Sequence, residues 1–164
     1  MPPNESDEIL SILAKDARTS VANIATLTGL SEGEVRQRIT DFEKQGVIKR
    51  YKTIVDWEKA GVDMQLAFID VKVTPARDVG FDGVAEQIYR YPEVQSVWLM
   101  SGGFDLRIVV EGHNIRELGR FVAEKLSVIE GVQATDTHFL LKRYKEDGDF
   151  FVDVEEDERL VIAP

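Results

Sequence analysis

The chain contains no cysteine, which excludes disulfides, cysteine-ligated zinc and a thiol nucleophile. Histidine is almost as scarce. His113 and His138 are the only two; they stand far apart, without the spacing of a metal pair, and structural roles are expected of both. No apolar run approaches the roughly 20 residues of a membrane-spanning helix. The start, Met1-Pro2-Pro3-Asn4-Glu5, has neither the basic residues nor the apolar stretch of a signal peptide, so a cytoplasmic protein without membrane contact is expected. No glycine-rich phosphate loop and no Ser/His/Asp set is present, and Asp147-Gly148-Asp149 is too short for a calcium loop. Nothing in the chain calls for a metal, a cofactor or a catalytic assignment.

What is present falls into two textures. Up to about residue 50 the apolar residues recur at helical spacing. Ile9, Leu10, Ile12 and Leu13 form one stripe after a potential cap at Ser6. Ser20 can cap a second helix that carries Val21, Ile24, Ala25 and Leu27 and ends at Gly29. Ser31-Glu32-Gly33-Glu34 has the pattern of a capping box, serine at the cap and glutamate three residues on. It opens a third helix with Val35, Ile39 and Phe42 on one face, closed by Gly46. From Val47 to Val55 apolar and polar residues alternate, as in a short hairpin or wing.

A linker is expected over 56–63, and strands then alternate with helices. Residues 66–73 are rich in strand formers and stop before Pro75; 82–91 read as a helix that ends before Pro92. Strands are expected over 94–101 and 105–111, joined by the Gly102-Gly103 turn. Asn114 can cap a helix bearing Ile115, Leu118, Phe121, Val122 and Leu126, and a last strand is expected over 132–141. The order β-α-β-β-α-β is that of the ferredoxin-like split βαβ fold. Both faces of the strand at 66–73 carry apolar residues, Ala67, Ile69 and Val71 on one and Leu66 and Phe68 on the other. One face can pack on the helices, the other on a second subunit. Trp98 and Phe121 sit where core or dimer packing is the ordinary role. The expected class is therefore α+β, with a winged helix-turn-helix at 1–55, a βαββαβ effector and oligomerisation domain at 64–145, and an acidic tail at 146–164. That tail has eight Asp/Glu between Glu146 and Glu158, yet Phe150, Phe151, Val152, Leu160, Val161 and Ile162 are interleaved. It is expected to fold back on the domain or on a partner subunit.

The constellation with functional content is Ala25, Gly29 and Val35. Two helices that approach closely need a small residue at the contact, a residue tolerant of positive φ at the turn, and an apolar lock on the second helix. A plain helical hairpin would satisfy the same spacing; the capping box after the turn and the basic segment after the third helix favour a DNA-binding helix-turn-helix. With Val35, Ile39 and Phe42 inward, Glu32, Gly33, Arg36, Gln37 and Thr40 face out. Arginine and glutamine suit paired hydrogen bonds to guanine and adenine edges in the major groove, and Ser31 at the helix start can approach a phosphate. The alternative for Arg36 and Gln37 is a plain solvated face. Arg38 flanks the core side and either joins the DNA face or pairs with an acidic neighbour. Glu32 and Glu34 suit the helix start electrostatically. Lys49, Arg50 and Lys52 are placed for phosphate contact.

Positive charge is nevertheless in short supply: the chain carries a net charge of −10, where phosphate binding needs Lys and Arg. The deficit is localised. Residues 1–52 hold eight basic against eight acidic side chains, and 31–52 hold six basic against four acidic. Duplex binding over the whole surface is excluded; a single usable face is not.

Taken in order, the three helices, Leu30-Ser31, Glu43-Lys44-Gln45-Gly46-Val47-Ile48 and Ser101-Gly102-Gly103-Phe104-Asp105 resemble the Lrp/AsnC (feast/famine) regulators over about residues 4–144. The resemblance implies a sequence-specific regulator that binds a two-fold operator in double-stranded DNA, forms homodimers that assemble to octamers, and answers to a small effector such as an amino acid held between dimers. It places effector contacts at Ser101, Gly102, Gly103, Asp105, Thr135 and Thr137. The glycine turn can meet a carboxylate with backbone groups, and Asp105 can take an ammonium or hold the turn. The family's loop reads Gly-Asp-Phe-Asp; here Gly103 replaces its first acid. Sirohaem decarboxylases share this two-domain plan but carry a His- and Tyr-containing motif near this loop, where the chain has Val97-Trp98-Leu99-Met100-Ser101. An architectural DNA-compacting protein is the other alternative, disfavoured by the weak local charge.

Overall fold

The computed structural model describes residues 5–75 and 80–152. They form two compact units that divide between Val55 and Asp56. The first is three helices: α1 (Glu5–Lys15), α2 (Val21–Thr28) and α3 (Glu32–Lys44). The local signals act where the sequence puts them. The Asn23 N–H donates to Ser20 Oγ at 3.2 Å, and the Glu34 N–H donates to Ser31 Oγ at 3.3 Å. Glu34 Oε2 accepts from the Ser31 N–H at 2.9 Å in return, which completes the capping box. Ser6, the expected cap of α1, instead lies inside that helix. Ile9, Ile24 and Val35, one from each helix, are fully buried together with Ala25, and Ile12, Leu13, Val21, Leu30 and Ile39 pack around them. Leu27, expected in this core, is 67% exposed.

Gly29 closes α2 with φ +71°, and a Cβ added there would meet nothing within 4 Å. Its glycine is required by the backbone conformation and not by crowding. Gly46 (φ +68°) ends α3 in a Schellman closure. The Gly46 N–H donates to Glu43 O at 3.0 Å and the Val47 N–H to Phe42 O at 2.8 Å. The Ile48 N–H also donates to Phe42 O, at 3.1 Å.

This corrects the hairpin expected over 47–55, where no strand forms. The first two residues of the alternating run are spent on capping α3. Val47, Tyr51 and Ile54 are exposed, so no buried face selects a strand register, and an isolated two-stranded ribbon is marginal in water.

The second unit begins with an ordered turn where a linker was expected. The Lys59 N–H donates to Asp56 Oδ1 at 3.0 Å and the Val62 N–H to Trp57 O at 2.9 Å. Then follow β1 (Gln65–Val73), α4 (Asp82–Tyr89), β2 (Val94–Leu99), β3 (Leu106–Gly112), α5 (Ile115–Arg120) and β4 (Val132–Phe139). The four strands make an antiparallel sheet in the order β2-β3-β1-β4, the ferredoxin-like arrangement. The helix expected as one run from Asn114 changes character at Phe121 and continues to Leu126 as a π-helical turn. The wider turn brings Phe121 and Leu126, five residues apart, to the same buried side.

Period-two alternation puts Ala67, Ile69, Val71 and Val73 on one face of β1. There they join Leu106, Ile108 and Val110 of β3 under Val84 and Ile88 of α4 and Leu118, Phe121 and Leu126 of the second helical segment. Phe121 meets Tyr91 edge-on at 5.6 Å between centroids. The opposite face carries Leu66, Phe68, Asp70 and Lys72 of β1, opposite Val109 and Arg107 of β3 and His138 and Asp136 of β4.

After β4 a two-residue hairpin joins β5 (Lys145–Glu146) to β6 (Asp149–Phe150). Asp147 and Gly148 form its turn, both with positive φ, as Asp-Gly turns of this length favour. Of the expected acidic tail, residues 153–164 lie outside the described residues.

Candidate nucleic-acid interface and effector loop

The capping box and the Val35 anchor set α3 so that its outer side holds the residues expected to meet DNA. Arg36 and Gln37 are exposed, and Arg38 and Thr40 are half-buried. Arg36, Gln37 and Thr40 are already engaged along the helix. Arg36 pairs with Glu32 at 3.1 Å. Gln37 Nε2 donates to Asp41 Oδ1 at 3.0 Å and Thr40 Oγ1 to Arg36 O at 2.9 Å. Ser31 Oγ donates to Glu34 Oε2 at 2.7 Å. Hydrogen bonds from Ser31, side chain first and backbone second, hold the Glu34 carboxyl below its ordinary pKa, with help from the nearby charge of Arg38.

Beyond α3, Lys49, Arg50 and Lys52 are all exposed. Lys49 Nζ folds back to within 3.2 Å of where a Gly46 Cβ would stand, at the helix end that favours a cation. Tyr51 Oη donates to Glu43 Oε1 at 2.9 Å and so ties this irregular segment to α3. Burial and the Glu43 hydrogen bond push the Tyr51 hydroxyl up.

In the second unit the expected effector residues gather at one end of β1. The Met100 N–H donates to Asp105 O at 2.8 Å and closes the loop that holds the exposed Ser101, Gly102 and Gly103. The Asp105 carboxylate turns to β1. It accepts from the Val73 N–H at 2.9 Å and pairs with Lys72 at 3.2 Å. The Val73 N–H, with Lys72 second, keeps its pKa below the ordinary aspartate value. Val71 pairs with Leu106 on one side and Thr135 on the other, and Ile69 pairs with Thr137. The loop and both threonines therefore flank the same stretch of β1, with the threonines half-buried on the helix side of the edge strand. A separate cavity of about 430 Å³, with Trp57, Met64, Leu66 and Leu141 in its wall, lies at the other end of β1 and includes none of these residues.

Sequence inspection missed the ionic cluster on the opposite sheet face. Arg107 Nε and Nη2 bind the Asp70 carboxylate oxygens at 2.7 Å each. His138 Nε2 stands 3.8 Å from Asp70 and 3.5 Å from Asp136. The Arg107 hydrogen bonds hold the Asp70 carboxyl below its ordinary pKa. The Glu32–Arg36 and Gln37–Asp41 pairs were also missed, although both have the i,i+4 spacing that could have revealed them.

A capped three-helix unit with an outward arginine and glutamine, joined in one chain to a ferredoxin-like βαββαβ unit, defines a helix-turn-helix DNA-binding protein with a ligand-binding domain. Residues 5–49 match the winged helix-turn-helix DNA-binding family and residues 66–150 the Lrp/AsnC ligand binding domain. The chain is 47% identical over 158 residues to the HTH-type transcriptional regulator YugG of Bacillus subtilis, covering 96% of this chain and 95% of that one. It is 32% identical over 130 residues to the regulatory protein AsnC of Haemophilus influenzae, covering 79% and 85%. In fold it resembles a transcriptional regulator of Neisseria meningitidis solved with L-methionine, with a TM-score of 0.70 at 24% identity over 89% of this chain and 94% of that one. The chain belongs to the Lrp/AsnC family of DNA-binding transcriptional regulators. It is a regulator and not an enzyme, as its relatives are; nothing favours the decarboxylase or architectural alternatives.

Proposed function

We infer that the protein works in the cytoplasm as a homodimer whose two α3 helices read the halves of a two-fold operator, with an amino acid adjusting its assembly up to an octamer. The observation that carries the DNA contact is the placement of α3. Its inner face is locked by Val35, fully buried, and its outer face presents Arg36 and Gln37, the side chains suited to guanine and adenine edges. Ser31, Arg38 and Thr40 border that face, while Lys49, Arg50 and Lys52 supply backbone contacts. Two such faces held at fixed separation require a dimer. The sheet face with Leu66, Phe68 and Val109 around the Asp70–Arg107 pair suits a second copy. No helix among the described residues is long and apolar enough to cross a membrane. For the effector, the family's ligand-binding domain and the methionine held by the Neisseria regulator support an amino acid at Ser101–Gly103, Asp105, Thr135 and Thr137.

The test starts from genomic fragments selected by the full-length protein. Footprinting of a recovered fragment is expected to show two half-sites about one helical turn apart. Arg36→Ala and Gln37→Ala are each expected to weaken that fragment roughly tenfold or more, with little change on a permuted duplex. Unchanged affinity in both variants, measured by gel shift at one salt concentration, overturns the assignment of α3 as recognition helix.

A further inference from the structure

The register of the sheet sets Trp98, Arg107, Asp70 and Asp136 side by side, one on each strand from β2 to β4. This row crosses the face turned away from the helices, and its charge is lopsided. Arg107 lies on the β2 side of the sheet's centre, Asp70 and Asp136 on the β4 side. Asp70 and Asp136 stand directly opposite each other, where like charges repel. Both Arg107 nitrogens hold Asp70 at 2.7 Å, and His138 stands 3.5 Å from Asp136. The neighbouring row is Ser96, Val109, Phe68 and His138, apolar at its two central positions. Trp98, at the end of the charged row, is 47% exposed.

We propose that this row aligns a second copy of the chain, so that two sheets pack face to face about a two-fold axis parallel to β1. A two-fold interface sets one patch against itself. Aligned sheets can meet in this way about an axis along the strands or about one across them. β3 and β1 are the central strands, so an axis along the strands passes between them and exchanges left for right. Arg107 then faces the partner's Asp70, and Asp70 the partner's Arg107, which makes four charges of alternating sign. Phe68 meets the partner's Val109. Trp98 stands over the partner's Asp136, to whose carboxylate its indole N–H can donate. An axis across the strands sets Arg107 against Arg107 and Asp70 against Asp70 or, shifted by one row, sets both charges against Val109 and Phe68. Like charges brought together at an interface oppose association, so charge complementarity selects the first arrangement. Both copies then enter β1 from the same end, and both Ser101–Gly103 loops lie at the other. The proposal deepens the reading of the protein as a homodimer and rests on it.

The test exchanges the two charges. Asp70→Arg combined with Arg107→Asp in one full-length chain keeps an opposite-charge pair on β1 and β3 and reverses the row. An affinity tag on the swapped chain distinguishes it by mass. Swapped and wild-type proteins are mixed, left to exchange subunits and counted by native mass spectrometry at a concentration where dimers dominate. Each protein alone is expected to dimerise, because the reversed row is again complementary to itself. The mixed dimer, half of all dimers for random pairing, is expected to fall at least about fivefold, since it sets an arginine on Arg107 and an aspartate on Asp70. Random mixing overturns the proposal. A preference for the mixed dimer also overturns it, by identifying the axis across the strands. A second measurement does not depend on the swap. The chain has no cysteine, so Ser96→Cys and His138→Cys in separate copies report only on introduced thiols. A short bismaleimide should join these two copies far faster than it joins Ser96→Cys to itself; equal or slower coupling overturns the proposal. A wild type that is monomeric at every concentration would instead refute the dimer reading, and the proposal with it. Unaltered circular dichroism in each variant separates these results from unfolding.

Discussion

Val35→Ala is the perturbation that asks most of the first unit. Val35 is fully buried among Ile9, Ile24 and Ala25, with only partly buried neighbours around them. Removing its two methyl groups forfeits roughly 1.5 kcal/mol of transfer free energy at ~0.8 kcal/mol per buried carbon. The void left behind, about 40 Å³ if the helices do not relax, adds about 1 kcal/mol. A unit of this size has a stability of only about 3–7 kcal/mol, so a loss near 2.5 kcal/mol removes a third of it or more. The two tryptophans, Trp57 and Trp98, both belong to the second unit. Urea unfolding of the full chain can therefore be followed by two probes, far-ultraviolet circular dichroism for the helices and tryptophan fluorescence for the second unit alone. Val35→Ala is expected to lower the midpoint of an early dichroism transition by about 1.2–2.5 M, at an m-value of ~1–2 kcal/mol per molar, and to leave the fluorescence curve in place. A loss under about 0.5 kcal/mol would mean that the site collapses around the smaller side chain. Equal shifts of both curves would show that the units do not unfold separately, and would refute the reasoning.

Two further predictions concern the second unit. Asp105→Ala leaves the N–H of Val73, a residue 3% exposed, without its carboxylate acceptor, whereas Asp105→Asn keeps an acceptor oxygen. The alanine variant should melt at a clearly lower temperature than the asparagine variant. In a thermal-shift screen of the twenty amino acids, a response in the wild type is expected to survive Asp105→Asn. Its loss would place the aspartate charge on the effector, and no wild-type response at all would count against the effector site. The second prediction concerns acid. The folded pKa of Asp70 is held below its ordinary 3.8 by Arg107, and that of Glu93 below 4.5 by Lys125. Each depressed carboxylate contributes stability that is fully present above its unfolded value and is lost as pH falls through the folded one. Stability of the second unit, read from fluorescence in urea, should therefore fall below about pH 4.5. Asp70→Asn should be less stable than the wild type at neutral pH and decline less steeply in acid; a parallel decline would remove Asp70 from the acid response.

Much of the first unit was legible because its determinants act over three or four residues. A capping box needs only Ser31 and Glu34, and a left-handed turn needs only Gly29 or Gly46. The stripe that buries Ile9, Ile24 and Val35 is written in helical spacing. In the second unit the alternation of Ala67, Ile69, Val71 and Val73 gave the strand and its buried face, and the order of elements gave the topology. The same local reading failed at 47–55. Alternation states which residues could share a strand face, but not whether another element covers that face. It also hid Asp147-Gly148, a two-residue hairpin turn weighed only as a metal loop.

Sequence alone thus determined the two-unit plan, the family and the capped third helix that is proposed to face DNA, since these follow from short-range periodicity, caps and charge counts. Tertiary structure decided which polar groups are already spent. Asp70 and Arg107 are 37 positions apart and meet only because the β1–β3 register sets them opposite each other. Asp105 holds the Val73 N–H because β1 runs beside β3, 32 positions away in sequence. Pairings of this kind depend on register, and register is fixed by which face is buried across the whole sheet, a quantity that no single stretch of sequence contains.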